Sequence, residues 1–170
     1  MARMRLRPAT PADLPAVYGI FQNAIDDMNA RGIPQWDDIY PTPAILSDDQ
    51  RKGQLHVAVG EEEVPLAAVT LNEECHPDYA SAQWRHGEPA LIVHRLCVSP
   101  AAQGQGVGRG LMAEVEALAR EKGYAGIRLD AFSQNPHALR MYERLGYEKR
   151  GEATWRKGLF YLLEKPVLRG

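Results

Sequence analysis

Four glycines in eight residues, Gln103-Gly104-Gln105-Gly106-Val107-Gly108-Arg109-Gly110, constrain this chain more than any other stretch. They follow a nearly continuous apolar run, Ala90 to Val98, which reads as a strand buried on both faces and is closed by Pro100. They precede Val107, Leu111, Val115 and Leu118, whose spacing predicts a helix to Lys122 with Gly123 at its exit. A strand that turns through such a loop into a helix gathers free backbone N–H groups at the helix's positive end. Glycines at 104, 106 and 108 remove the Cβ atoms that would hold a ligand off that backbone, and Gln103 or Arg109 can add a side-chain contact. A hydrogen bond to a charged oxygen is worth roughly 1.5–3 kcal/mol, so three or four would hold a pyrophosphate. A flexible turn that merely caps the helix is the competing reading. Two familiar phosphate patterns fail: G-x-G-x-x-G started at Gly104 ends on Arg109 and started at Gly106 ends on Leu111, and no G-x-x-x-x-G-K-[ST] occurs.

Around this loop the chain reads as alternating elements. Met4 to Arg7 predicts a strand. Thr10-Pro11-Ala12-Asp13 predicts a helix start, and Leu14, Val17, Tyr18, Phe21, Ile25 and Met28 form its buried stripe up to Arg31-Gly32. Ile33 to Pro43 is a proline-rich aromatic loop, Pro43 to Lys52 a shorter helix, and Leu55 to Gly60 with Val64 to Leu71 a strand hairpin. Asn72 to Glu88 reads as a long excursion. Gly126 to Phe132 is a further strand, Asn135-Pro136 opens a helix that Gly146 ends, and Tyr147 to Trp155 and Gly158 to Glu164 close the chain as strands.

With its flanks, the loop resembles motif A of the GNAT superfamily of N-acetyltransferases, [QR]-x-x-G-x-[GA], here Gln103, Gly106 and Gly108. His94-Arg95-Leu96-Cys97-Val98-Ser99-Pro100 resembles the family's fourth strand. Asn135-Pro136-His137-Ala138-Leu139-Arg140-Met141-Tyr142-Glu143-Arg144-Leu145-Gly146-Tyr147 resembles its motif B. The resemblance implies an α/β (α+β) fold: a mixed, mostly antiparallel central sheet of about seven strands, flanked by four helices and splayed between strands four and five. It implies one N-acetyltransferase domain over residues 1–170, with a motif core at 90–151. It also implies acetyl-CoA as co-substrate. The N–H groups of Gly104, Gln105, Gly106, Val107, Gly108 and Arg109 would hold the pyrophosphate, Leu96, Cys97 and Val98 would pair with the pantetheine arm like an added strand, and Asn135 would bond the arm with Ala138 beside it. Asn135 before a proline is equally an ordinary N-cap.

A thioester is already activated, so the chemistry needs a neutral amine, a stabilised oxyanion and a proton for the leaving thiolate. Tyr142 stands seven residues, two helical turns, after Asn135, and the resemblance makes it the proton donor. A phenol at about 10 against a thiol at about 8.5 keeps its proton until the thiolate forms. A core tyrosine with a satisfied hydroxyl is the alternative. The resemblance assigns the oxyanion to the Val98 N–H. Cys97 reads as a small buried strand residue before it reads as an acyl carrier. Some family members carry a glutamate early in strand four, where this chain has Ala90-Leu91-Ile92-Val93, so the base stays unassigned among His94, Glu73 or Glu74 through water, and solvent. Trp36 and Tyr40, among Asp26, Asp27, Asp37 and Asp38, would pack on a cationic acceptor, unless those acids are simply a solvated face.

Composition sets the remaining expectations. At 170 residues, 45% hydrophobic and 25% charged, the chain suits one globular domain. Twenty Lys and Arg against 22 Asp and Glu supply no basic field for nucleic acid. The charged start Met1-Ala2-Arg3-Met4-Arg5 has no apolar run behind it, so no membrane partner and a cytoplasmic location are expected. Cys75 and Cys97 read as reduced thiols, and the five histidines show no helical HxxxH pair or Cys-x-x-Cys companion, with Cys75-His76 and His86 as the one weak metal alternative. The acceptor is expected to be the amine of a small molecule or peptide, and a homodimer stays open. The other reading is a non-catalytic acyl-CoA sensor, which a complete glycine loop and Tyr142 disfavour.

Overall fold

The computed structural model describes residues 4–168; the first three residues of the charged N-terminal segment lie outside them. The elements run β1 (Arg5–Pro8), α1 (Leu14–Ala30), α2 (Pro43–Arg51), β2 (Leu55–Val59), β3 (Pro65–Asn72), β4 (Ala90–Val98), α3 (Val107–Glu121), β5 (Gly126–Phe132), α4 (Pro136–Arg144), β6 (Glu148–Trp155) and β7 (Gly158–Pro166). The seven strands form one sheet in the order β1-β2-β3-β4-β5-β7-β6. The pairs β1/β2, β2/β3, β5/β7 and β6/β7 are antiparallel, whereas β4/β5 is parallel. That parallel register runs from Ala90↔Gly126 to Val93↔Leu129, after which β4 continues to Val98 and β5 to Phe132. This is the parting of strands four and five that the resemblance implies.

The chain divides into two compact units, one of residues up to 71 with 95–114, the other of 72–94 with residues from 115 onward. In the first, the expected helix start at Thr10 is a 3-10 turn, Pro11–Asp13, and α1 follows from Leu14. The Asp13 carboxylate accepts the Thr10 N–H at 2.8 Å and is clasped by Arg7 at 2.7 and 3.0 Å, so one acid both caps the turn and ties it to β1. Val17, Phe21 and Ile25 of the helical stripe are buried, together with Ile20 and Ala24, while Leu14, Tyr18 and Met28 pack half-buried at its margin. They meet Trp36, Leu46, Leu55, Val57, Val59 and Cys97 in one core. Each such side chain contributes about 1.5–3 kcal/mol of burial. Trp36 therefore packs inward, with its ring 5.3 Å from that of Phe21, because an indole gains more from this core than from water.

In the second unit the excursion is ordered by its aromatics. A 3-10 turn, Pro77–Ser81, seats Tyr79 against Ala90, Ile92, Ala153 and Leu162, with Trp84 and Trp155 at the edge. Fully buried Glu164 of β7 accepts the N–H groups of Arg85 and His86, both at 3.0 Å, and Arg150 Nε at 2.9 Å. A carboxylate with three such donors stays charged inside the fold. The net effect is a Glu164 carboxyl below its ordinary range: burial pushes upward and these hydrogen bonds outweigh it.

Asp13 carries a pH prediction. The Arg7 guanidinium holds its carboxyl at about 2, against an ordinary 3.8. A depressed folded value stabilises above the unfolded value and is lost as pH falls toward the folded one. In urea unfolding, Asp13→Asn should cost about 2 kcal/mol at neutral pH, and the gap to wild type should close between about pH 4 and about pH 2.

Candidate active site

In the first unit, Gly104 and Gly106 adopt φ of +80° and +74°, left-handed backbone that costs a residue with a Cβ roughly 1–2 kcal/mol. These two glycines turn the chain from Gln103 into α3. The Gly110 N–H bonds the Gly106 carbonyl at 3.0 Å, so helical bonding starts there, and the N–H groups of Val107, Gly108 and Arg109 precede any carbonyl their own helix can offer. Gln103, Gly104, Gln105 and Arg109 are exposed. The Gln103 side chain accepts from Arg31 Nη2 at 3.5 Å, and Arg31 is paired with Asp27 at 3.3 Å. Arg31 thus stands at the loop's first residue from 72 positions away, with no local signal in the sequence.

Before the loop, Arg95 has φ +51° inside β4. A bulky residue in that region marks an irregularity held by its surroundings. Arg95 donates from Nε and Nη2 to Asp49 Oδ2 at 3.0 and 2.7 Å, and from Nη1 to the Tyr40 hydroxyl at 2.9 Å; Thr70 donates to the same Asp49 oxygen at 2.8 Å. Tyr40 is exposed through this contact, unlike Trp36. Leu96 and Val98 are half-buried, and Cys97 is buried with Sγ 3.9 Å from the Ile20 carbonyl. Burial pushes the Cys97 thiol far above its ordinary value, which disfavours the thiolate an acyl carrier would need.

In the second unit, Asn135 Oδ1 accepts the Ala138 N–H at 3.2 Å, so Asn135 caps α4. Tyr142 on the same helix is buried, edge-on to Tyr147 at 5.6 Å. Burial, and after it the charge of Asp130, push its phenol well above the ordinary value of 10. Tyr142 is therefore a protonated phenol at any working pH. His94 Nε2 lies 2.7 Å from Asn72 Oδ1 and 2.8 Å from the Glu74 carbonyl. A carbonyl only accepts, so Nε2 carries the proton, and in the neutral ring Nδ1 holds the lone pair. Glu73 accepts from the Tyr124 hydroxyl at 3.0 Å and, with Cys75, Glu88, Pro89, Ala90, Ile92 and Arg128, lines a cleft of about 400 Å³. Two residues to which the sequence reading gave no site role also meet: the Tyr79 hydroxyl donates to Asp130 Oδ2 at 2.7 Å. Among the described residues no group of three His, Cys, Asp or Glu is placed to hold a metal ion.

The mixed seven-stranded sheet with its parallel β4/β5 pair is the fold that the resemblance implies. The profile of the GNAT acetyltransferase family matches residues 21–147, and the chain belongs to that family and is an N-acetyltransferase. It is 27% identical over 164 residues to the uncharacterized N-acetyltransferase YesJ of Bacillus subtilis, covering 94% of this chain and 88% of that one. It is 44% identical over 61 residues to acetyltransferase Atu2258 of Agrobacterium fabrum, which is 36% of this chain and 43% of that protein. In fold it is similar to a GNAT acetyltransferase from Streptococcus agalactiae, with a TM-score of 0.81, 22% identity and coverage of 98% and 96%. It is likewise similar to the PaiA N-acetyltransferase of Thermoplasma acidophilum, solved in complex with coenzyme A, with a TM-score of 0.73, 15% identity and coverage of 96% and 99%.

The two cysteines give a direct check on this geometry. Alkylation of the native protein with iodoacetamide, read by mass spectrometry, should label exposed Cys75 and leave Cys97 unmodified until denaturant is added. Rapid native labelling of Cys97 would contradict its burial.

Proposed function

We propose that the chain transfers an acetyl group directly from acetyl-CoA to a primary amine of a small molecule or peptide, with residues 1–170 acting as one catalytic domain in the cytoplasm. The observation that carries this reading is the turn at Gly104 and Gly106, which opens a helix whose first N–H groups have no partner within the helix. The residues present suit coenzyme A. Gly104 to Arg109 would hold the pyrophosphate, with Gln103 as the entry contact, and Leu96 to Val98 would hydrogen-bond the amide-rich pantetheine arm. A relative in fold that was solved with coenzyme A supports the choice of anion.

Tyr142 supplies the proton. Its environment keeps the phenol neutral, and a thiolate expelled nearby is basic enough to take a proton from it as the C–S bond breaks. Val98 N–H donates to the developing oxyanion. Asn135 orients the arm from the cap of α4. No serine or cysteine nucleophile is required, and Cys97 is a strand residue buried in the core against α1. The acceptor-side base is water or His94 through Nδ1.

Thiol release from acetyl-CoA, assayed over a panel of polyamines, amino acids, aminoglycosides and peptides, tests this reading. Tyr142→Phe keeps the ring against Tyr147 and removes only the proton, so kcat should fall about 100-fold or more with little change in coenzyme affinity. Tight coenzyme A binding with no thiol release for any acceptor would instead support an acyl-CoA sensor.

A further inference from the structure

Helix α1 delivers a cation to the glycine loop. Its buried stripe, with Val17, Phe21, Ala24 and Ile25, fixes the helix in the core of the first unit. Backbone bonds close its end: the Arg31 N–H reaches the Asp27 and Met28 carbonyls at 3.2 and 3.1 Å, and the Ile33 N–H reaches Met28 at 2.9 Å. The backbone of Arg31 is thus firmly placed, whereas its guanidinium is loosely held. Nη2 meets the neutral Gln103 Oε1 at 3.5 Å, the outer limit of a hydrogen bond, and Nε pairs with Asp27 at 3.3 Å. Such an i,i+4 pair between half-exposed side chains contributes little. Among the described residues Nη1 has no partner. A cation is welcome at any helix C-terminus, but that alone does not turn it onto Gln103. The loop it meets favours negative charge. Gly104 and Gly106 turn the chain from Gln103 into α3, whose first turn carries no acid. Arg109 in that turn has no side-chain partner among the described residues.

We propose that Arg31 is a coenzyme contact: on binding, its guanidinium exchanges the Gln103 side-chain carbonyl for a phosphate oxygen of coenzyme A. A hydrogen bond to a charged oxygen is about twice as strong as one to a neutral amide, so the exchange is favourable. The planar fork has donors to spare: Nε can stay with Asp27 while Nη1 and Nη2 share the phosphate. Coenzyme A carries a pyrophosphate and a separate 3′-phosphate, and the chemistry Arg31 recognises is common to both. Arg31 stands within one side-chain length of the loop's first residue, so it extends the site beyond the amides that open α3. Its role is to bind, with no part in acyl transfer. This inference rests on the coenzyme reading of the loop above.

Calorimetry with coenzyme A should show Arg31→Gln binding roughly 10-fold more weakly than wild type, the loss of a charge-assisted hydrogen bond partly open to solvent. Arg51→Gln removes an equal charge from α2, where Arg51 pairs with Asp48, and should bind coenzyme A as wild type does. Dephospho-coenzyme A identifies the phosphate: a penalty that persists with it puts Arg31 on the pyrophosphate, and one that vanishes puts it on the 3′-phosphate. On the wild-type protein, saturating coenzyme A should slow phenylglyoxal modification of Arg31, read by mass spectrometry, and leave Arg51 as reactive as before. Folded Arg31→Gln with wild-type affinity overturns the contact alone. An equal loss in Arg51→Gln also overturns it, because general charge would then account for the effect. Should Arg31→Gln fail to fold, an Arg31 that coenzyme A does not protect in the wild-type protein overturns it. Wild-type protein that binds no coenzyme A overturns both this inference and the coenzyme reading of the loop.

Discussion

Arg95 holds left-handed backbone in the middle of β4, a conformation that costs a non-glycine residue about 1–3 kcal/mol and that persists only where neighbours over-determine it. Asp49 from α2 does so with two guanidinium contacts, Thr70 steadies the acid, and Tyr40 takes the remaining donor. Two steps before this residue the parallel register with β5 ends. The irregularity thus separates the part of β4 paired with β5 from Leu96–Val98, the segment whose backbone the proposed pantetheine contact requires. Asp49 and Arg95 are a buried charge pair, and such pairs are retained for the geometry they impose more readily than for net stability.

The glycine turn depends on that same stretch of chain. Pro100 follows the end of β4, and the two left-handed glycines lead the chain into α3, whose first N–H groups have no carbonyl within the helix to bond. A side chain at either glycine would resist the turn. Acyl transfer from a thioester then asks little more than orientation, a donor for the oxyanion and a weak acid, the last being the role proposed for Tyr142 on α4.

Much of this was legible in the residues. Ala90–Val98 and Gly126–Phe132 have the bounds their mainly apolar runs predict, because strands largely buried on both faces carry a nearly continuous apolar pattern. Asn135-Pro136 announced α4 through local capping chemistry, and the glycine loop announced its turn. What was not legible is non-local or hidden by residue type. Trp36 sits in a proline-rich loop yet packs against Phe21, since loop composition says nothing about which aromatic finds the core. The left-handed Arg95 carries no glycine to advertise it. Asp130 accepts from Tyr79, 51 positions away, a contact with no local signal in the sequence. The start at Thr10 was read correctly as a capping sequence, but its first turn is 3-10 and α1 proper begins at Leu14.

Backbone amide exchange in the presence of coenzyme A tests the central claim most directly, because it reads the N–H groups themselves. Saturating coenzyme A should slow exchange at Gly104 through Arg109 and at Leu96 through Val98, while amides of β6 and β7 stay as they are. Unchanged exchange across Gly104–Arg109, with the coenzyme bound elsewhere or not at all, would contradict the assignment of this loop as the pyrophosphate site.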